Sequence, residues 1–240
     1  GADQTQALAA GDVQVLYAVG ATSVILSAAN DADIKVLNMY SRSPKAFCMY
    51  SKDESISSPA DLRGKTIAGP VGTNLHELLA AYLATADMTV DDVNFVNMGI
   101  PEAKAGLEGG SVDVALLAGA AAYQTQQQGY HLITDGEGLI NAIIAVAVTN
   151  KFYEAHPEII EKLQSAQAEI ADFMQNHEQE AYEMAAAELD LDVDAVKEMA
   201  QHYDFSTEIT AADKDGFQRT ADFMYQAGMI EKELDVNTLF

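Results

Sequence analysis

Residues 107–120 read LEGGSVDVALLAGA, and residues 8–21 read LAAGDVQVLYAVGA. Six residues recur at one offset (107 − 8 = 99): Leu8, Gly11, Val13, Val15, Gly20 and Ala21 return as Leu107, Gly110, Val112, Val114, Gly119 and Ala120. Each copy reads as the end of a helix, a glycine stop, a short buried strand and a glycine-containing turn. Self-similarity of this kind signals a duplicated unit. The chain is therefore predicted to hold two similar α/β halves.

The second copy has a full lead-in. Residues 64–68 (GKTIA) read as a short strand and residues 70–74 (PVGTN) as a turn. Leu75, Leu78, Leu79, Tyr82 and Leu83 then follow the i, i+3, i+4 pattern of an amphipathic helix. Residues 93–96 are a second strand, and Pro101 suits the first turn of the helix that Gly109 and Gly110 end. This β-α-β-α-β order predicts parallel α/β layers. Subtracting 99 from Thr66 places the matching strand of the first copy before Gly1. The repeat thus predicts a first half lacking its opening strand, helix and strand, about 35 residues or more.

Further along, a short helix is expected to follow Ser23, with a strand over residues 34–39. Two extended runs, AFCMY at 46–50 and IIAVAV at 143–148, flank the middle segment. They are expected to cross between the halves as a pair of hinge strands. The resulting division is 1–46 plus 148–240 for the first lobe and 47–147 for the second. From Pro157 the pattern is helical. Ile159, Leu163, Ala166, Ile170 and Phe173 are expected to mark the core face of one helix. Thr210 should cap the last long helix, with Phe217, Ala221 and Met224 inside and Gly228 as its stop.

Composition narrows the function. Hydrophobic residues make up 49% of the 240, enough for a sizeable core. Lys and Arg total 13 against 37 Asp and Glu, a formal charge of −24, which disfavours nucleic acid and anionic membranes as partners. Cys48 is the single cysteine, so no internal disulfide or multi-cysteine metal site is expected. His76-Glu77 would need histidine at Ala80 to make a zinc-protease motif, and His177-Glu178 fails at Ala181 in the same way. Residues 69–74 (GPVGTN) outline a phosphate loop but lack its lysine. No catalytic residue, metal or cofactor is expected.

What remains is an anion site made of neutral donors. Gly72, Thr73 and Asn74 precede one helix; Gly20, Ala21, Thr22 and Ser23 precede another. Small residues at a helix N-terminus let an oxyanion approach free backbone N–H groups. Local dipoles can outweigh a net charge that is screened beyond about 8–10 Å. Arg42 is the one basic residue near a strand end of the first lobe, followed by Lys45. Gly119 offers a third small-residue surface, and Asn141 is placed to reach a cleft mouth. Tyr17, Tyr40 and Tyr123 are candidates to line a slot.

On these residues the chain resembles the solute-binding proteins of ABC importers, in the nitrate/sulfonate/taurine group that also includes binders of a thiamine pyrimidine precursor. The matching stretches are LAAGDVQVLYAVGATS, SSPADLRGKTIAGPVGTN, LEGGSVDVALLAG and the C-terminal run from KFYEAHPEIIEKL to TADFMYQAGMIEKELDVNTLF. The most specific local element is residues 57–65. The resemblance implies an α/β, two-lobed periplasmic-binding-protein-like clamshell (type II) with the ligand in the cleft. It implies a small sulfonate-like anion as ligand, an ABC permease as partner, no nucleic acid, and an extracytoplasmic location, periplasmic or lipid-anchored. Members of the group begin with a further β-α-β segment that this chain lacks. The first lobe is therefore expected to be incomplete, with an exposed sheet edge able to pair with another chain as a dimer. Small residues at 118–121, where many relatives carry an acidic or aromatic residue, imply a roomier pocket. The alternative ligand is a neutral or cationic heterocycle stacked on Tyr17 or Tyr40. Pyrimidine-synthesis enzymes of similar fold use a cysteine-rich stretch that is absent here.

Overall fold

The computed structural model describes all 240 residues. In chain order the elements are α1 (Ala2–Ala10), β1 (Val15–Gly20), α2 (Ala21–Ala29), β2 (Ile34–Arg42), β3 (Phe47–Ser51), β4 (Thr66–Gly69), α3 (Asn74–Ala84), β5 (Asn94–Asn97), α4 (Ile100–Gly109), β6 (Val114–Ala118), α5 (Gly119–Gln127), β7 (His131–Asp135), β8 (Ile143–Thr149), α6 (Asn150–Ala155), α7 (Pro157–Asn176), α8 (Glu178–Leu189), α9 (Val193–Ala200) and α10 (Ala211–Gln226). They build two sheets, ordered β1-β8-β2 and β5-β4-β6-β3-β7.

The repeat is a structural repeat. Gly11 and Gly110 both end their helices in the left-handed region, at φ 82° and 74°. In both, the glycine N–H donates to the leucine carbonyl three positions back, Leu8 at 3.0 Å and Leu107 at 3.1 Å. The next N–H reaches one residue further, Asp12 to Ala7 and Ser111 to Gly106. A side chain in this conformation strains against its own carbonyl, which is why glycine stands at both places. The strand orders also correspond. β1-β8-β2 matches β6-β3-β7, antiparallel throughout, while β4 and β5 add two parallel strands to the second sheet.

One of the two long apolar runs is the middle strand of the first sheet, β8; the other, β3, lies between β6 and β7 in the second. β8 has Ala145, Val146, Ala147 and Val148 all buried, because both of its faces are covered. Expected as hinges, β3 and β8 are each ladder-bonded on both edges within one sheet. The chain changes sheets at residues 43–46 and 136–142, so the lobe boundary expected at 147/148 falls inside β8. The two passages touch: Ser43 N–H donates to Ala142 O at 3.3 Å. Ala142 has φ 47°, a conformation unfavourable for any residue with a Cβ.

Two further expectations are corrected. The outer edge of β1 is not an open ladder. The Gln4 side-chain amide accepts from Tyr17 N–H at 2.9 Å and donates to Tyr17 O at 3.0 Å, while Ala18, at φ 54°, bulges the strand between Leu16 and Val19. An amide mimicking a neighbouring strand and a bulge both blunt an edge. On α7, Ile159 and Ile170 are exposed, and Ile160 and Gln167 are the buried positions. Ile160 and Leu163 pack against Leu37, Val146 and Val148, and Gln167 Oε1 accepts from the Tyr17 phenol at 2.7 Å, which leaves Ile159 and Ile170 outside.

α10 joins the two lobes. Thr210 caps it and forms a capping box with Asp213. Phe217, Ala221 and Met224 enter the core of the first sheet, while Phe223 packs against the core of the second. Phe217→Ala should cost about 3–5 kcal/mol, read as a lower urea midpoint at unchanged slope.

Candidate functional site

The two helix N-termini predicted to face each other do so, and they touch. Thr22 and Ser23 open α2 beside the first sheet, and Asn74 opens α3 beside the second; all three are at most 2% exposed. Thr22 N–H donates to Asn74 Oδ1 at 3.4 Å, and Asn74 Nδ2 donates to Ile143 O at 3.4 Å. Ser23 Oγ donates to Gly72 O at 3.0 Å. Gly20 and Gly72 permit this approach. A Cβ on Gly20 would lie 2.4 Å from Asn74 Oδ1, and one on Gly72, at φ 74°, would lie 2.7 Å from Leu26 Cδ2.

At the centre of this seam is Glu77, one turn into α3 and 3% exposed. Its carboxyl lies 2.7 Å from Thr22 Oγ1 and accepts from Thr220 Oγ1 of α10 at 3.0 Å. Burial of the carboxyl, the largest cause, raises its pKa above the ordinary glutamate value. Neither Glu77 nor Thr220 is among the residues that sequence reasoning selects. The signal is nonetheless present: Glu77 shares a helix face with Asn74 three positions away, and Thr220 interrupts the apolar stripe Phe217, Ala221, Met224.

Other predicted site residues fall elsewhere. Thr73 is a helix cap: its hydroxyl donates to Pro70 O at 2.8 Å and accepts from Leu75 N–H at 3.3 Å. Ala21 is buried in the first core. Asn141 is tied to α10, donating to Gly216 O at 3.3 Å and accepting from Arg219 at 2.9 Å. Gly119 lies apart, its Cβ position 3.6 Å from Tyr203 Oη. It lines a cavity of about 60 Å³ with Lys45, Cys48, Tyr50 and His202, far below the ~300–1,000 Å³ of a typical ligand pocket. Tyr17 and Tyr40 pack edge to face at 5.7 Å, and Tyr123 bonds Glu198 at the surface.

Arg42 is not a free cation. Nε and Nη2 grip both oxygens of Asp213 at 2.6 Å, while Nη1 and Nη2 also donate to the carbonyls of Ser206 and Glu208. Its backbone exchanges hydrogen bonds with Asp204 at 2.8 and 2.9 Å. Every face of the guanidinium is occupied, so it clasps β2 to the start of α10 rather than holding an anion.

Residues 1–181 match the family described as NMT1/THI5 like. The chain is 29% identical over 164 residues to a taurine-binding periplasmic protein of Escherichia coli, covering 67% of this chain and 50% of that one. It is 25% identical over 222 residues to a putative aliphatic sulfonates-binding protein of Bacillus subtilis, covering 91% and 67%. The chain thus spans half to two thirds of these relatives. Its fold superposes on the alkanesulfonate-binding protein SsuA of Xanthomonas axonopodis pv. citri, bound to MOPS, with TM-score 0.87 at 20% identity, covering 98% and 82%.

Two outcomes follow from this geometry. Arg42→Ala leaves Asp213 buried without its cation and should cost about 3 kcal/mol in denaturant unfolding. Burial pushes the Asp213 carboxyl up, but hydrogen bonds from Arg42 and from the Thr210 hydroxyl and N–H hold it below the usual carboxylate range. Its stabilisation is therefore present above the unfolded-state value near 3.9 and is lost as pH falls through the folded one. The variant should lack that acid-sensitive component. Gly20→Ala drives a methyl into Asn74 and should part the two helix ends at a cost of about 1–3 kcal/mol.

Proposed function

Because the chain belongs to the NMT1/THI5-like family, we propose that it is the solute-binding component of an ABC importer, capturing a small organic sulfonate between its lobes for delivery to a membrane permease. The observation that carries this reading is the opposition of α2 and α3, whose N-termini meet across the seam with neutral donors on both sides. The lobes are assigned as residues 1–42 with 143–240, and 47–135, turning on the two passages between them. Parting them frees the Thr22 N–H and hydroxyl, the Ser23 hydroxyl and the Asn74 amide. A sulfonate offers three acceptor oxygens and no proton to give, so it suits donors that carry no charge. Thr73 and Arg42 are left out of the ligand shell, since their donors are used within the fold.

The sulfonate- and taurine-binding names of the relatives support this ligand class, and their periplasmic descriptions support an extracytoplasmic setting. No helix of the chain is long and apolar enough to cross a membrane. A heterocycle stacked on Tyr17 or Tyr40 gains no support, because those rings pack on each other. An enzymatic reading through Cys48 gains none either. Burial pushes that thiol up to about 12, and the thiolate is the reactive form. Self-pairing through β1 is left out of the proposal because Gln4 holds that edge.

The test is a calorimetric and thermal-shift panel of taurine, alkane and aryl sulfonates, nitrate and thiamine pyrimidine precursors. A sulfonate at ~100 times its dissociation constant should add roughly 2.7 kcal/mol of stability. Asn74→Ala should weaken that binding at least about tenfold, the loss of one well-placed hydrogen bond. Unchanged affinity in this variant would remove the seam from the binding site.

A further inference from the structure

Thr22 Oγ1 lies 2.7 Å from Asn74 Oδ1 and 2.7 Å from Glu77 Oε2. A hydroxyl has one hydrogen to donate. The orientation of the Asn74 amide is set on both sides: its nitrogen faces Ile143 O, and its oxygen faces Thr22 N–H. Asn74 Oδ1 can therefore only accept, and the hydroxyl hydrogen of Thr22 goes to it. Two bare oxygens at 2.7 Å repel, so the Thr22–Glu77 contact needs a hydrogen of its own. The carboxyl group is the one source. Glu77 Oε1 meanwhile accepts from Thr220, whose oxygen faces Asn141 Nδ2 at 3.5 Å. With Glu77 protonated, every link runs in one direction: Asn141 to Thr220, Thr220 to Glu77, Glu77 to Thr22, Thr22 to Asn74, Asn74 to Ile143 O.

Both hydroxyl partners of Glu77 belong to the opposite lobe, Thr22 on α2 and Thr220 on α10. The apolar, hydrogen-bonded niche thus exists only while the lobes are together. We propose that Glu77 takes up a proton from solvent when the lobes close and returns it when they open, so that closure is linked to pH. The inference concerns closure of the solute-free protein, in which the seam donors bond one another, and so does not depend on which solute is captured.

No neighbouring charge competes for this role. α2 and β8 carry no ionisable side chain. On α3, burial keeps His76 below its ordinary value, and its Nδ1 accepts from Gly72 N–H. On α10, Arg219 bonds Asn141, Asp213 is held by Arg42, Asp222 accepts from Gln218, and Lys214 lies over Phe240. The carboxyl is raised by burial itself, which fixes the sign. A group raised in the closed state favours closure below its open-state value, near 4.3 for a free glutamate. That contribution is lost as pH rises through the closed-state value.

The test uses the intact chain with labels on the two lobes, reading the interlobe distance from about pH 5 to about pH 9. A parallel ¹³C titration follows the Glu77 carboxyl. Wild-type protein should hold a protonated Glu77 when closed. It should lose closed population by up to tenfold per pH unit above the closed-state value, as one proton requires. Glu77→Gln, whose amide can donate to Thr22 and accept from Thr220, should stay closed across the range. An ionised Glu77 in the closed protein, a wild-type distance that ignores pH, or the same pH response in Glu77→Gln would each overturn the proposal. The carbon signal needs no variant, so a poorly folded Glu77→Gln does not blunt the test.

Discussion

Two strands, β3 and β8, hold the molecule together, because each is bonded along both edges and each takes in the chain where it passes from one sheet to the other. The first sheet has no β1–β2 contact; both strands depend on β8. The second sheet likewise places β3 between β6 and β7. A strand so placed must be apolar on both faces, which is why IIAVAV and FCMY are the two most continuous apolar runs flanking the middle segment. The chain passes from one sheet to the other outside these strands, at residues 43–46 and 136–142. Ala142 stores backbone strain there, and Ser43 buries a hydroxyl with no partner. Both are features of a segment whose conformation is imposed by its neighbours.

The seam between α2 and α3 turns on the same economy of charge as the surface around it. With a formal charge of −24, the chain is a poor host for an anion except where water and counter-charge are excluded. At the seam the donors are a backbone N–H, two hydroxyls and an amide, and the one carboxyl present is neutral when the lobes meet. The cations that could have served are spent on structure, Arg42 on Asp213 above all. On the proposed reading, such a seam would keep its selectivity in the geometry of the donors rather than in a net attraction.

The sequence was legible where local rules decide. Gly11 and Gly110 marked the repeat because a left-handed helix end tolerates almost nothing else. The small residues at 20–23 and 72–74 marked the helix ends that meet. What stayed hidden depended on partners far along the chain. Nothing near Arg42 announces Asp213, 171 positions away, so a structural clasp reads like an anion site. Glu77 and Thr220 are separated by 143 positions, and a single glutamate beside a histidine points more readily to a failed metal motif than to a buried acid. The apolar face of α7 was legible as a face, but which of its residues go inside depends on Leu37, Val146, Val148 and Tyr17, far along the chain. The sheet-to-sheet passages at 43–46 and 136–142 were not picked out because a long apolar run reads like a crossing even where it lies within one sheet.

The placement of β8 also orders events in time as the chain is synthesised or threaded across a barrier. All five strands of the second sheet lie between residues 47 and 135, so that sheet can assemble as soon as this segment is free. The first sheet cannot. β1 and β2 are made before β8, the strand both pair with, and residue 149 emerges 107 positions after Arg42 (149 − 42 = 107). A long wait for a shared central strand invites premature pairing. The bulge at Ala18 and the Gln4 amide, which blunt β1 in the finished molecule, are well placed to protect it during that interval.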